Sequence, residues 1–307
     1  NTSPGNGQEY LYVLNALTGA ELSAYSTGIG GSGGLAKIAA WADYAETDNT
    51  AGYVYGGDLE GNLWRFDINK PPGAAGSVVL FATLKDSSGV VQPITTRPEL
   101  GKAEGKRVVI VGTGKYLETA DLTNTQQQTL YAIKDADDYP TAAPTATLVN
   151  PRTTLVQQTI TTAGAIRTDT SLAVDFKTGR GWYVNFPDSG ERSNVDSQLV
   201  LGTLLVPTTV PSNTVCSPGG YGWLNFFDYK TGSKVPGNTT SSNPNAVGYK
   251  TNAPIVGINT FYLPSGDVVT SVVTSDHPTP DKVPGVGFDS SSGRFVGKRV
   301  IWRELIQ

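Results

Sequence analysis

A single turn pattern, repeated along the chain, restricts the fold more than any other feature. Asn15-Ala-Leu-Thr-Gly19 follows "LYVL", Asp175-Phe-Lys-Thr-Gly179 follows "LAV", Asp228-Tyr-Lys-Thr-Gly232 follows "WLNFF", and Asp289-Ser-Ser-Ser-Gly293 follows "VGF". Asp58-Leu-Glu-Gly61 and Leu263-Pro-Ser-Gly266 are shorter versions. An Asp or Asn side-chain oxygen accepts backbone N–H groups two or three residues on, and glycine then takes the left-handed conformation that closes a hairpin with a bulge. The flanks are rich in Val, Ile, Tyr, Phe and Trp, many at period two, as in "YVYGGDLEGNLWRFD"; such runs read as strands. A chain written this way is all-β and made of many hairpins.

The turns are irregularly spaced, so insertions must separate some of them. Strand pairs recurring every 40 to 50 residues or so point to a β-propeller, whose blades are four-stranded sheets of about 40–45 residues; a chain of this length holds about seven. Residues 1–307 are expected to form one such domain. Loop insertions are expected at Ser26–Leu35, Asp135–Leu148, Val206–Gly219 and Gly237–Gly248, all rich in Gly, Pro, Ser, Thr, Ala or Asn. Thr123–Thr129 reads as a short helical or coil segment. Ala36–Glu46, "AKIAAWADYAE", is the stretch with the most helical composition, although an inward-facing strand fits it too.

Composition narrows the function classes. Only 16% of residues are charged, the net charge is −4 and no basic stripe is present, which argues against a nucleic-acid partner. No apolar run is long enough to span a bilayer. The neutral, Gly- and Ser/Thr-rich composition suits an extracytoplasmic protein. Cys216 stands alone, so neither an internal disulfide nor a thiolate metal cage can form. The opening "NTSPGNGQEY" lacks the basic-then-apolar order of a signal peptide, and with no Met in the sequence the chain reads as a fragment of a longer protein.

Catalytic patterns fail on context. Gly30-Gly31-Ser32-Gly33-Gly34 has the letters of a nucleophile elbow but sits in a glycine-rich loop, and His277, the sole histidine, lies in "SDHPTPDK". "GTGKY" (Gly112–Tyr116) lacks the spacing and the Ser/Thr of a P-loop. Asp135, Asp137 and Asp138 read as a solvated turn ended by Pro140 rather than a cation loop. Trp64, Trp182, Trp223 and Trp302 lie in strand-like runs, where burial between sheets is the usual fate of a large ring. No enzyme activity is expected.

Several longer stretches, in order, resemble one family. They are "GDLEGNLWRFD" (Gly57–Asp67), "VIVGTGKYLETADLTNTQQQTLYAI" (Val109–Ile133), "GRGWYVNFP" (Gly179–Pro187), "GERSNVDSQLVLGTLLVPTTVP" (Gly190–Pro211), "CSPGGYGWLNFFDYKTG" (Cys216–Gly232) and "WRELI" (Trp302–Ile306). Together they resemble the C-terminal domain of the PilY/PilC family of type IV pilus tip-associated adhesins, over nearly the whole chain. The resemblance implies a modified seven-bladed propeller at the end of a longer secreted protein. It also implies roles in pilus biogenesis, antagonism of retraction, surface adhesion and twitching motility. The implied location is the pilus tip, cell surface, outer membrane or periplasm of a Gram-negative bacterium. The implied partners are minor pilins, the N-terminal region of the same protein, and host-cell or abiotic surfaces.

Family members often carry a calcium loop just before the "YVYAGD" strand. The equivalent stretch here is "DYAETDNTAGYVYGGD" (Asp43–Asp58), in which Glu46, Asp48 and Thr50 occupy alternate positions while Tyr44 and Gly52 depart from the pattern. Calcium takes six to eight oxygens, so Glu46, Asp48 and Thr50 form a degenerate site that binds weakly or not at all. Two other readings stay open: a quinoprotein-like propeller dehydrogenase, for which no calcium-bound cofactor and Asp base can be assembled from these residues, and a generic carbohydrate- or protein-binding propeller.

Overall fold

In the computed structural model the described residues are 7–31, 33–45, 47–135, 148–212, 219–236, 243–262, 268–276 and 281–283. They form β-strands and two short 3-10 helices, Thr119–Leu122 and Pro151–Thr153. The chain begins with a hairpin, β1 (Tyr10–Leu14) and β2 (Glu21–Ser26). Its turn is built as the sequence predicts: Asn15 Oδ1 accepts the N–H groups of Leu17 and Thr18, Gly19 has φ +70°, and the register shifts at Val13/Leu14.

Each following sheet is laid down strand by strand. β3 (Ile38–Trp41), β4 (Tyr53–Gly57), β5 (Asn62–Asp67) and β6 (Val78–Thr83) pair antiparallel in chain order. The β4–β5 turn is closed by Asp58 Oδ1, which accepts the N–H groups of Glu60 and Asn62. Gly61 is required there: its φ is +75°, and a Cβ would lie 2.8 Å from the carbonyl oxygens of both Leu84 and Gln92. The third sheet continues with β7 (Glu99–Ala103), β8 (Lys106–Gly112) and β9 (Thr129–Lys134).

After β9 the chain makes an excursion before completing that sheet. β10 (Leu148–Val149) pairs parallel with β6, on the outer edge of the second sheet. The next strand, β11 (Val156–Gln158), lies parallel to β14 (Gly181–Asn185), the fourth strand of the third sheet. Between them, β12 (Ile160–Ala163) and β13 (Ile166–Asp169) form a hairpin that pairs with β18 (Ala246–Thr251), on the outer edge of the fourth sheet. The fourth sheet itself is β15 (Gln198–Val200), β16 (Thr203–Val210), β17 (Tyr221–Asp228) and β18. β19 (Ile255–Tyr262), β20 (Val268–Thr274) and β21 (Asp281–Val283) make a three-stranded sheet. The segment between β9 and β14 thus adds rim strands to three successive sheets, like a strap around their outer edge.

The sheets stack face to face, with one apolar cluster in each gap. Leu11 and Tyr25 meet Val54, Trp64 and Phe66 between the first two sheets. Tyr55, Leu63 and Phe81 meet Val109, Val111 and Tyr131 in the next gap. Val108, Ile110 and Trp182 meet Leu204, Val206 and Phe227 in the third, and Leu205, Leu224 and Phe226 meet Ile255, Ile258 and Val272 in the fourth. Neighbouring residues such as Val108 and Val109 enter opposite gaps, as the period-two geometry of a strand demands. β5, β9 and β16 are buried along their whole length because both faces are covered. At the inner edge, β7 contacts both β3 and β15, so the first strands of these sheets converge on a common axis.

Two expectations are corrected and one open choice is settled. Of the two readings of Ala36–Glu46, helix or strand, strand holds at β3, whose alternating exposure follows period two and whose residues pair with Tyr53–Gly56. Val206–Val210 are strand, not insertion. Pro207 is tolerated there because β15 pairs only with Thr203–Leu205, leaving the side its missing N–H would face without a ladder. The Asp175–Gly179 turn does not join paired strands. It is a helical turn, in which Gly179 N–H bonds Asp175 O at 2.8 Å, and the positive φ falls on Gly181 instead. Trp64, Trp182 and Trp223 are all buried, as expected, at 4%, 0% and 1% exposure. The Leu263–Gly266 and Asp289–Gly293 turns, Ser32, Asp137, Asp138, Cys216, His277 and Trp302 lie outside the described residues.

Candidate partner-binding face

Antiparallel order brings the β4–β5, β6–β7, β8–β9 and β14–β15 connections to one end of the stacked sheets, and backbone bonds join them. Ile94 N–H bonds Asp58 O, Gly114 N–H bonds Pro93 O, and Ser193 N–H bonds Thr113 O, each at 2.7–2.9 Å. Gly114 N–H is taken by Pro93 O and Thr113 N–H by Thr129 O, so the central amides of "GTGKY" are engaged and it forms a strand-end turn.

Arg192 organises this face. Its guanidinium donates to Lys115 O, Asp121 O, Asn124 O and Gly190 O at 2.7–2.9 Å, and the residue is 3% exposed. Burial pulls its pKa below the ordinary arginine value, with Asp121 and Tyr116 opposing. Four carbonyls on one rigid fork fix the path of residues 115–124. Asp121 completes that loop by accepting the N–H groups of Leu117 and Glu118. Burial pushes its carboxyl up, but these two amides and Lys115 outweigh it and hold the pKa below the usual range. Gln126 ties the loop to its neighbour, donating to Asp86 Oδ2 at 3.0 Å and Val91 O at 2.9 Å. The segment read from the sequence as helix or coil is therefore coil held by glutamine side chains, with a 3-10 turn just before it.

A second buried network lies behind the face. Arg167, on β13, forks onto Glu191 at 2.7 and 2.6 Å, donates to Asn225 Oδ1 at 2.8 Å and lies 3.8 Å above the Trp223 ring. Thr208 Oγ1 donates to the same Glu191 at 2.5 Å. Asp188 accepts Tyr221 Oη and Trp223 Nε1, each at 2.9 Å. On this scaffold the loop tips expose Leu117 (67%), Val90 (54%) and Val91 (40%) beside Lys115 and Glu118. Such a surface can grip a partner by apolar contact and charge.

The sequence-predicted cation loop lies at the opposite end, between β3 and β4. Glu46 is outside the described residues. Asp48 is exposed, and its Oδ1 accepts both the N–H (2.9 Å) and the Oγ1 (2.5 Å) of Thr50. Those bonds, the hydroxyl's first, hold the Asp48 carboxyl below the usual range. Thr50 therefore closes a turn with Asp48, and its hydroxyl is not turned toward a shared cation. No group of three acidic, His or Cys side chains able to hold a metal occurs among the described residues.

Asp135 is also placed differently from its sequence reading. It is fully buried, accepting Tyr55 Oη at 2.5 Å and Arg65 Nη1 at 2.8 Å, with Arg107 Nη2 at 3.6 Å. Sequence reasoning missed Arg167, Glu191 and Arg192. The signal was present in "GERSN", where two charges adjoin inside a chain that is otherwise sparing of charge.

Residues 1–171 match the family model described as the PilY1 beta-propeller domain. The chain belongs to this family. Type IV pilus biogenesis factor PilY1 of Pseudomonas aeruginosa (strain PAO1) is 30% identical over 233 residues, covering 62% of this chain and 20% of that protein. A PilY1 homolog of Xylella fastidiosa (strain Temecula1) is 26% identical over 325 residues, covering all of this chain and 25% of that protein. The chain thus spans a quarter or less of the length of these relatives. The crystal structure of the Pseudomonas aeruginosa PilY1 C-terminal domain superposes with a TM-score of 0.72, over 91% of this chain and 67% of that one, at 24% identity. The stacked sheets are therefore blades of a β-propeller, as the spacing and the resemblance lead one to expect. Within this PilY1-type propeller, the "GTGKYLE" and "GERSN" motifs meet at Arg192 on one face.

Proposed function

We propose that the chain is the propeller part of a type IV pilus biogenesis factor, lying outside the cytoplasm at the pilus tip or cell surface. In this reading it supports pilus assembly, opposes retraction and contributes to adhesion and twitching motility. The propeller has seven blades carrying loop insertions, and residues 1–307 form one domain. The match of residues 1–171 to the PilY1 propeller family carries the reading. The rigid loop face supports it, because scaffold-held loops are where such folds place contacts. Its partners are minor pilins and the N-terminal region of the same protein, with host-cell or abiotic surfaces as further contacts. The test is deletion of this region in the native organism, counting surface pili with and without the retraction ATPase. The expected result is few pili and little twitching, with piliation restored when retraction is removed. Normal piliation and twitching after deletion overturn the reading.

For the loop after β3 we propose a polar turn whose calcium affinity, at Glu46, Asp48 and Thr50, is no tighter than the roughly millimolar range of weak extracellular sites. Titration with calcium chloride is expected to show no saturable uptake below about 0.1 mM. Tight uptake that disappears in Asp48→Ala shows instead that the three residues act as a calcium site.

A further inference from the structure

We propose that Glu9 is a pH-gated latch on the N-terminal segment: its neutral carboxyl holds residues 7–9 against the loop after β2 and the Asp58 turn, and its ionisation releases them. Three backbone bonds join described residues of the segment to the loop after β2. Glu9 N–H bonds Ile29 O at 3.3 Å, Thr27 N–H bonds Glu9 O at 3.1 Å, and Gly31 N–H bonds Gly7 O at 3.1 Å. The Glu9 side chain is the plug in this contact. The residue is 1% exposed, and its carboxyl lies so close over Gly33 that a Cβ there would be 2.1 Å from Oε1. Thr27 Oγ1 donates to Oε2 at 3.2 Å, while Oε1 takes no hydrogen bond.

A buried carboxylate with one bare oxygen is costly, and its neighbours make it worse. Asp58 faces it from the β4–β5 turn. That carboxylate receives four donors, from Glu60 N, Asn62 N, Asn62 Nδ2 and Trp64 Nε1, which lower its pKa, while burial outweighs them and leaves it raised above the ordinary value. Glu60 adds a second acidic group from the same turn. Lys37, the basic residue of the β2–β3 loop, is engaged with Asp196 at 2.8 Å and does not neutralise the cluster.

Burial first, then Asp58, push the Glu9 carboxyl from its ordinary 4.5 up to about 7, with the Thr27 hydroxyl and Leu35 amide opposing. The sign follows from linkage. An acid whose pKa is raised in the docked state favours docking while it is protonated. Docking is complete below the ordinary pKa, weakens as pH rises from there, and has lost its full increment above about 7. Over that window the docking equilibrium falls on the order of a hundredfold.

Hydrogen exchange on the 307-residue chain tests the latch. The amides of Glu9, Thr27 and Gly31, corrected for intrinsic pH dependence, are followed from about pH 5 to about pH 8.5. The wild-type protein is expected to lose on the order of a hundredfold in protection at these three amides while strands β8 and β9 stay constant. Glu9→Gln is expected to show flat protection. A wild-type profile without pH dependence, or a Glu9→Gln profile that falls just as far, overturns the latch. If Glu9→Gln does not fold, the Glu9 carboxyl carbon is titrated in the wild type by NMR; a midpoint near 7 supports the latch and one below about 5 overturns it.

Discussion

Arg167→Met is expected to destabilise the domain by about 3–5 kcal/mol, the cost of breaking a buried ion pair by removing one partner. Both side chains of the Arg167–Glu191 pair are fully buried. Removing the guanidinium leaves Glu191 with the Thr208 hydroxyl and the Asp188 amide, but with its counter-charge gone. Asn225 Oδ1 loses a donor, and the Trp223 face loses the cation stacked on it. Arg167→Lys is expected to rescue little, because one ammonium cannot reproduce two parallel bonds to a carboxylate. Adding Glu191→Gln to Arg167→Met is expected to recover part of the loss, since the stranded charge disappears with it. Urea unfolding midpoints measure the totals. Hydrogen exchange locates the effect, with the largest fall in protection expected at β12 and β13, which Arg167 pins to the fourth blade. A loss under about 1 kcal/mol for Arg167→Met would mean that the strap is held by its strand pairing alone.

That strap marks the boundary between what the sequence discloses and what it conceals. Asn15 and Asp58 announce their turns because the bonds they make reach only two to four residues along the chain. The burial of Trp64, Trp182 and Trp223 was legible for a similar reason: a large ring within an alternating run has few other places to go. The excursion through β10–β13 was not legible, since each strand finds its partner far away in sequence. Leu148 pairs with Ala82, Val156 with Trp182, and Ile166 with Tyr249. Strands this short, rich in Thr and Gln, carry no local pattern that names an edge to join. Pro207 hid β16 because the open side of that strand depends on where β15 stops. The loop face organised by Arg192 was half visible. "GTGKYLE" and "GERSN" could be singled out as motifs, but their meeting through Arg192 depends on carbonyls about 70 residues upstream. At the other end, the sequence places Asp48 and Thr50 at alternate positions of one loop, and only the geometry shows them bonded to each other.

Asp135→Ala is expected to be as damaging as the loss of Arg167, for the opposite reason: it removes the carboxylate on which two buried cations converge. Arg65 and Arg107 are each about 5% exposed and approach Asp135 from different blades, at 2.8 and 3.6 Å. The same carboxylate accepts the hydroxyl of the fully buried Tyr55, whose pKa burial and Asp135 together drive well above the ordinary value. Removing it takes away the carboxylate that both guanidinium groups share across the gap between the second and third blades, although each keeps other partners. Arg107 keeps Asp43 at 3.5 Å and the Tyr53 ring at 4.1 Å, which softens the effect on that side. A destabilisation of about 3–5 kcal/mol is expected, readable as a fall in urea midpoint. Asp135→Asn separates charge from shape. The amide keeps one acceptor oxygen, which can still take Arg65 while its NH2 donates to the Tyr55 hydroxyl, but it supplies no negative charge, so it is expected to recover only a minor part of the loss. Raising salt is expected to change the mutant-to-wild-type difference little, because groups this deep are poorly screened. If Asp135→Asn matched the wild type, the cluster would be held by hydrogen-bond geometry, and the pairing of charge across the blade gap would not be what joins the second blade to the third.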